Sequence, residues 1–425
     1  MIPFYPSPTQ LSNVVTVTFI SPRLYIFPIF IKGGQSMPPR FILSVLALAV
    51  FFIGTTEFML SPMLKPLAGV FKTTLDNVAW LVSGYAFSYA LAAPFFGWLS
   101  DRVNRRRLLL ISLLFLMFDG LALTFAQNLS TAIGLRIFGG IASAALIPTT
   151  FALIAELFPL QKQASAMGLV MLGMTAGIAG GPIFAGILTE LFDWRAPFLV
   201  NAAGCLLVFV LGRTCIPIQA PVERIKHQMV TFKSMFQWVR QKNLMIFLIA
   251  KGFWNGTAVS ALILAGEVLR KHYEIGTGTI GISISTFGIG LGLGNLSVGM
   301  VKRLGLRDEL ILLLAIVLLS SATTAFMLMP LSLPFSLSCL IVWGSALGLA
   351  APISTVILAN RAKQHKGQVL AVSESLNNLM ILLLFPIAAM LMTHHGIAVT
   401  MLMLGFILII SIVLTIRDLL SDTVT

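Results

Sequence analysis

One pattern governs this chain: twelve blocks of apolar residues, each roughly 20 long, the length of helix that crosses about 30 Å of hydrocarbon. They fall near 41–63, 78–98, 107–126, 131–154, 165–188, 196–216, 244–268, 277–300, 309–328, 334–358, 368–391 and 397–416. Residues are 57% hydrophobic and 10% charged, whereas a soluble domain carries about 25% charge. The reading is an all-α membrane protein with twelve transmembrane helices embedded in a lipid bilayer.

A net charge of +13 raises the question of a polynucleotide partner. Its distribution answers otherwise. Of the 28 Lys and Arg, five (Lys65, Lys72, Arg195, Arg270, Lys271) fall in one set of loops, two (Arg136, Lys251) lie within spans, and the rest fall on the other side. Basic residues collect on the cytoplasmic face of membrane proteins. Both termini are therefore expected in the cytoplasm, and the charge is a topology signal with no need for nucleic acid. The longer connection 213–243, with QAPVERIKHQ, divides the chain into halves at 37–216 and 244–425, joined by a cytoplasmic linker at 217–243. Residues 1–36 are Pro-rich without a uniform apolar core, and MPPRFILSVL at Met37 reads as a natural start. They are expected to be a disordered tail or sequence upstream of that start.

Chemistry other than transport finds little support. No G-x-x-x-x-G-K-[ST] phosphate loop occurs. His394 and His395 are adjacent, not at ligand spacing, so neither a metal nor another cofactor is expected. Cys205, Cys215 and Cys339 have no pairing pattern and read as packing residues. An enzyme is not expected.

The halves show a weak repeat. GWLSDRVNRRRLLL follows span two and VGMVKRLGLRDELILLL follows span eight; aligned on the turn, Arg102 meets Arg303, Asn104 meets Gly305, Arg106 meets Arg307, and Asp101 is replaced by Lys302. The first loop resembles the signature G-x-L-a-D-R-x-G-R-[RK] of the major facilitator superfamily through Gly97, Leu99, Asp101, Arg102, Arg105 and Arg106. Asn104 replaces the usual Gly, and Asn is the next-best residue for a left-handed turn. LRIFGG in span four is similar to the family's R-x-x-x-G pattern at Arg136 and Gly140. GLVMLGMTAGIAGGPIFAG (168–186) resembles its antiporter pattern at Gly168, Gly177, Gly181, Pro182 and Gly186, with Ala185 in place of one Gly. GTTEFMLSPMLKPLA resembles the span-one start of twelve-helix bacterial drug:proton antiporters and of related sugar and purine exporters.

The resemblance implies a monomeric secondary transporter in a bacterial inner membrane, exporting a small molecule in exchange for protons by alternating access. A sugar or purine exporter, a same-fold importer or facilitator, and last a receptor or membrane enzyme, are the alternatives. Asp101 would cap the helix start near Gly367–Gln368 and, with Arg102 and Arg105, latch the outward-open form. Glycines four apart (Gly173, Gly177, Gly181) form a smooth stripe, read as a sliding seam against the other half; a static helix contact uses glycines in the same way. Pro182 permits bending.

Ionisable residues within the membrane are costly and point to function. Glu57 lies in span one, which the resemblance places on the cavity, and is the first choice for proton carrier; a structural hydrogen bond is the alternative. Arg136 stays charged, so it tunes an acid without carrying the proton, or ties carbonyls together. Lys251, with Trp254 and Asn255, faces the cavity as a substrate contact or, the preferred reading, snorkels to the nearby surface. Glu374 lines the inner gate or bonds a neighbouring helix. Asp119, in a peripheral span, is expected to be protonated or turned inward.

Overall fold

The computed structural model describes residues 39–100, 102–217, 242–362 and 366–421. Readings for residues 1–36, Asp101 and most of the 217–243 linker lie outside them. Among the described residues the chain is helical: α1 (Pro39–Phe58), α2 (Leu60–Val70), α3 (Leu75–Ser100), α4 (Arg105–Leu123), α5 (Leu129–Leu157), α6 (Leu160–Leu191), α7 (Ala196–Cys215), α8 (Lys242–Tyr273), α9 (Thr277–Lys302), α10 (Asp308–Leu328), α11 (Leu333–Arg361), α12 (Lys366–His394) and α13 (Gly396–Ser421).

Eleven of these are long and apolar enough to cross a membrane. The twelfth span is α4, whose apolar character is diluted by Arg105, Arg106, Arg107 and Asp119. Span one breaks at Met59 into α1 and α2. Pro62 has no N–H for the Phe58 carbonyl, and Pro66 leaves the Pro62 carbonyl free. Arg270 of α8 takes that carbonyl at 3.1 Å.

The halves repeat each other in packing. In the first, α1 packs on α6, α3 on α5, and α4 on α5 and α7; in the second, α8 packs on α12, α9 on α11, and α10 on α11 and α13. The halves meet along α3 with α12 and α6 with α9.

The two ends of the bundle differ. At the end away from the 102–104 turn, hereafter the outer end, α2 docks on α8, and Ser61 donates to the carbonyls of Leu262 (3.0 Å) and Ile263 (2.8 Å). There the second half's apolar core runs without a break into the first half through Phe58, Leu64, Leu81 and Phe198. The inner part of the first half has a separate core around Ile42, Leu113, Leu153 and Val208. Helices α5 and α11 pack chiefly within their own halves. The halves thus share one apolar core at the outer end, whereas at the inner end the first half keeps a core of its own.

Two expectations need correction. Asn104 is not left-handed: it sits at φ −66°, ψ 111° and caps α4 by accepting from the Arg107 N–H at 2.9 Å. A cap is what Asn does best in extended geometry. Its counterpart Gly305 does take the left-handed form, at φ +71°. Asn104→Ala is expected to cost about 1 kcal/mol, seen as a lower Tm that Asn104→Asp largely restores.

The second correction concerns the glycine stripe. Gly173 and Gly177 face the Ala47 and Phe51 carbonyls, and Gly181 faces Thr55; all three partners lie on α1 of the same half. The seam to the other half uses the adjoining face of α6, where Ala179 meets Gly288, and Pro182 and Gly186 meet Gly281. Gly168 faces open space.

Candidate functional site between the halves

The break in span one sets the site. Just before it, half-buried Glu57 accepts from the Tyr85 hydroxyl of α3 at 3.4 Å. Arg136 of α5 is 1% exposed. Its Nε donates to the Leu81 carbonyl (3.3 Å), its Nη2 to the Thr56 carbonyl (3.4 Å), and its guanidinium lies 4.5 Å from the centre of the Tyr85 ring. The positive charge is therefore pinned between α1 and α3, beside Glu57. Asn201 of α7 braces the same turn by donating to Thr56 Oγ1 at 3.0 Å.

Asp119 is turned inward and 2% exposed. Its carboxylate lies against Gly139, in space a side chain there would occupy, and its charge reaches Arg136. Gly139 makes room for this acid, while Gly140 lets α5 close on the Tyr85 carbonyl and Ser88 hydroxyl of α3.

On the second half, Lys251 does not snorkel. It is 3% exposed, donates to Ser373 Oγ at 2.8 Å and stands 3.7 Å from the Glu374 carboxylate. An ammonium in an apolar bundle is stabilised by such partners, and position near a helix end does not reveal them. The Glu374 side chain is 52% exposed, accepts from Asn377 at 3.2 Å, and lies within electrostatic reach of Glu57 and Tyr89 on the first half. It therefore faces the space between the halves. Asn255 is half-buried, one turn beyond Lys251. Trp254 belongs to the second half's core at 1% exposure.

The signature loop ties together its own half. Arg102 lies 4.0 Å from the Trp98 ring centre; Arg105 donates to the Ser100 and Ala152 carbonyls and pairs with Glu156 at 3.3 Å; Arg106 donates to the Arg213 carbonyl at 2.6 Å. Gly97 turns to the other half, where a Cβ built on it would lie 3.7 Å from that of Ala371. The corresponding pair in the second half has its signs reversed: Glu309 at the start of α10 meets Arg361 at the end of α11 at 3.6 Å, and Arg361 also holds Asp418 at 2.7 Å. Among the described residues no His, Cys, Asp or Glu cluster has the spacing to hold a metal.

A family model described as Major Facilitator Superfamily matches residues 46–383. The chain belongs to the major facilitator superfamily. It is 28% identical over 265 residues to the uncharacterized MFS-type transporter YceJ of Bacillus subtilis (strain 168), covering 62% of this chain and 67% of that protein. Identity to the multidrug efflux pump LfrA of Mycolicibacterium smegmatis (strain ATCC 700084 / mc(2)155) is 37% over 180 residues, 41% of this chain and 35% of that one. In fold it is similar to a bacterial homologue of the human lysosomal transporter Spinster, solved inward-facing and unoccupied, with a TM-score of 0.70 at 17% identity, covering 90% of this chain and 98% of the other. Membership in the major facilitator superfamily makes the chain a multi-pass membrane transporter rather than an enzyme. Tyr85 and Glu156 are the partners that sequence alone does not reveal; each is unremarkable in its own span and becomes informative only beside the charge it meets.

Proposed function

We propose that the chain exports small organic molecules, drug-like compounds among them, from a bacterial cytoplasm in exchange for protons. One observation carries this reading: a carboxyl with a fixed cation beside it on the first half, Glu57 with Arg136, is in electrostatic reach of Glu374 on the second, itself beside Lys251. Glu57 takes its proton while the outer end is open. Once the inner end opens, a substrate entering beside Glu374 and Lys251 exchanges for that proton, which the fixed charge of Arg136 helps release. The 168–186 pattern and the partial likeness to an efflux pump support export. The arginine-rich ends, both termini and the 217–243 linker lie in the cytoplasm under this reading, and a single copy in the inner membrane suffices, with the halves rocking about the α6–α9 seam.

The test uses everted membrane vesicles with an acidified lumen, challenged with cationic dyes, purines and sugars. Substrate-evoked proton release from the lumen is the expected result. Silence with every compound, together with uptake of one of them into intact cells, would replace export by import on the same fold.

A further inference from the structure

At the outer end one acidic side chain sits where its own helix disfavours it. Glu190 lies in the last turn of α6, a C-terminus with exposed carbonyls and negative dipole, where cations are favoured. Across the boundary, α9 starts at Thr277 behind Gly276, a cap position with no side chain to satisfy its first N–H groups. The Glu190 carboxylate fills that role, accepting from the Gly278 N–H of the other half. Glycine permits the approach: a Cβ on Gly278 would stand 2.8 Å from Glu190 Oε2, and one on Gly276 3.1 Å from either carboxylate oxygen. Arg270 extends the joint, donating to Thr277 Oγ1 (3.4 Å) and to the Pro62 carbonyl of α2 (3.1 Å), with its charge reaching Glu190.

We infer that Glu190 is a positioning residue for transport, a carboxylate clasp that closes the outer gate by capping α9 across the boundary between the halves. Three features suit it to this work. The clasp joins the halves at the end where they share one apolar core, so it must part for the outer end to open. It holds the closed state, because the orphan N–H groups of α9 find no comparable partner once α6 swings away. It is reversible, since Glu190 is exposed and returns to water without stranding a buried charge. The inference requires alternating access but no particular substrate, nor the coupling proposed for Glu57.

The test is made on the full chain in lipid nanodiscs, with Cys205, Cys215 and Cys339 replaced by alanine. Spin labels at Phe125 and Leu331 report the outer end; labels at Arg107 and Leu304 report the inner end. All four positions are exposed. Glu190→Gln is expected to raise the share of long outer distances roughly two- to fivefold, as the loss of one exposed charge–dipole contact implies, while the inner distances shorten. Gly278→Ala should do the same by occupying the carboxylate's place. Outer distances unchanged from wild type in both variants would overturn the inference. So would lengthening at both ends together, which marks general loosening instead of a released gate.

Discussion

Glu57→Gln is expected to lower substrate-evoked proton release from acidified everted vesicles by at least about a hundredfold, the scale on which removal of a proton-transferring group is felt. The substitution is chosen for what it leaves in place. Glutamine keeps the length of the side chain, and its carbonyl can accept from the Tyr85 hydroxyl as the carboxylate does now. The anchoring of Arg136 to the Thr56 and Leu81 carbonyls uses backbone and is untouched. Only the exchangeable proton is removed. Substrate-for-substrate exchange across the membrane, which needs no net proton movement, should therefore continue. Glu374→Gln gives the contrast: it weakens a 3.7 Å pair and leaves buried Lys251 to Ser373, so substrate handling should suffer while proton coupling persists. Proton release that survives Glu57→Gln would transfer the carrier role to Asp119 or Glu374.

The second large effect is structural and turns on sign. Judged by helix propensity alone, Gly→Ala inside α6 should stabilise by about 1 kcal/mol. At Gly168, which faces open space, that gain is expected. Gly177→Ala should reverse it and cost about 2 kcal/mol net. The added methyl would fall on the Phe51 carbonyl and 3.0 Å from the Thr55 nitrogen, both backbone atoms of α1 that no rotamer change can move. The helices would have to separate, and Gly173 and Gly54, which share the seam, would lose their contacts too. Unfolding of the two variants in detergent, followed by heat or denaturant, settles the matter. Equal shifts at 168 and 177 would mean that the seam is loose enough to absorb a methyl.

The same glycines show where reading from sequence stopped. The twelve spans are legible because a twenty-residue apolar block in lipid has little choice but to be helical, and each block lies within a helix of the structure or overlaps one closely, except the first, which the break at Met59 divides between α1 and α2. The small face of α6 was legible as well. Its neighbour was not, because Gly173, Gly177 and Gly181 lie on one face of the helix while Ala179, Pro182 and Gly186 lie on an adjoining one, and spacing alone does not say which faces the other half. Lys251 failed for a related reason: nine residues into α8 it can reach water, and only the position of Ser373 on α12 shows why it does not. Asn104 suggests a turn by residue type, yet the arginine run that follows it opens a helix needing a cap. Glu190 did leave a trace, as an acid in the last turn of a helix, the end where acids are disfavoured.

The reversed ion pairs at the inner end bear on how a duplicated chain finds its fold. Spans three and four of one half, and nine and ten of the other, are alike in length and packing, so each could in principle be mistaken for its twin while the helices assemble. In the native arrangement Arg105 meets Glu156, and Glu309 meets Arg361. Exchange of partners between repeats would set Arg105 against Arg361 and Glu156 against Glu309, two like-charge contacts at sites shielded in part from water. The opposed polarity acts as an address label written into each repeat, one that favours assembly of α4 with α5 and of α10 with α11 over their crossed combinations.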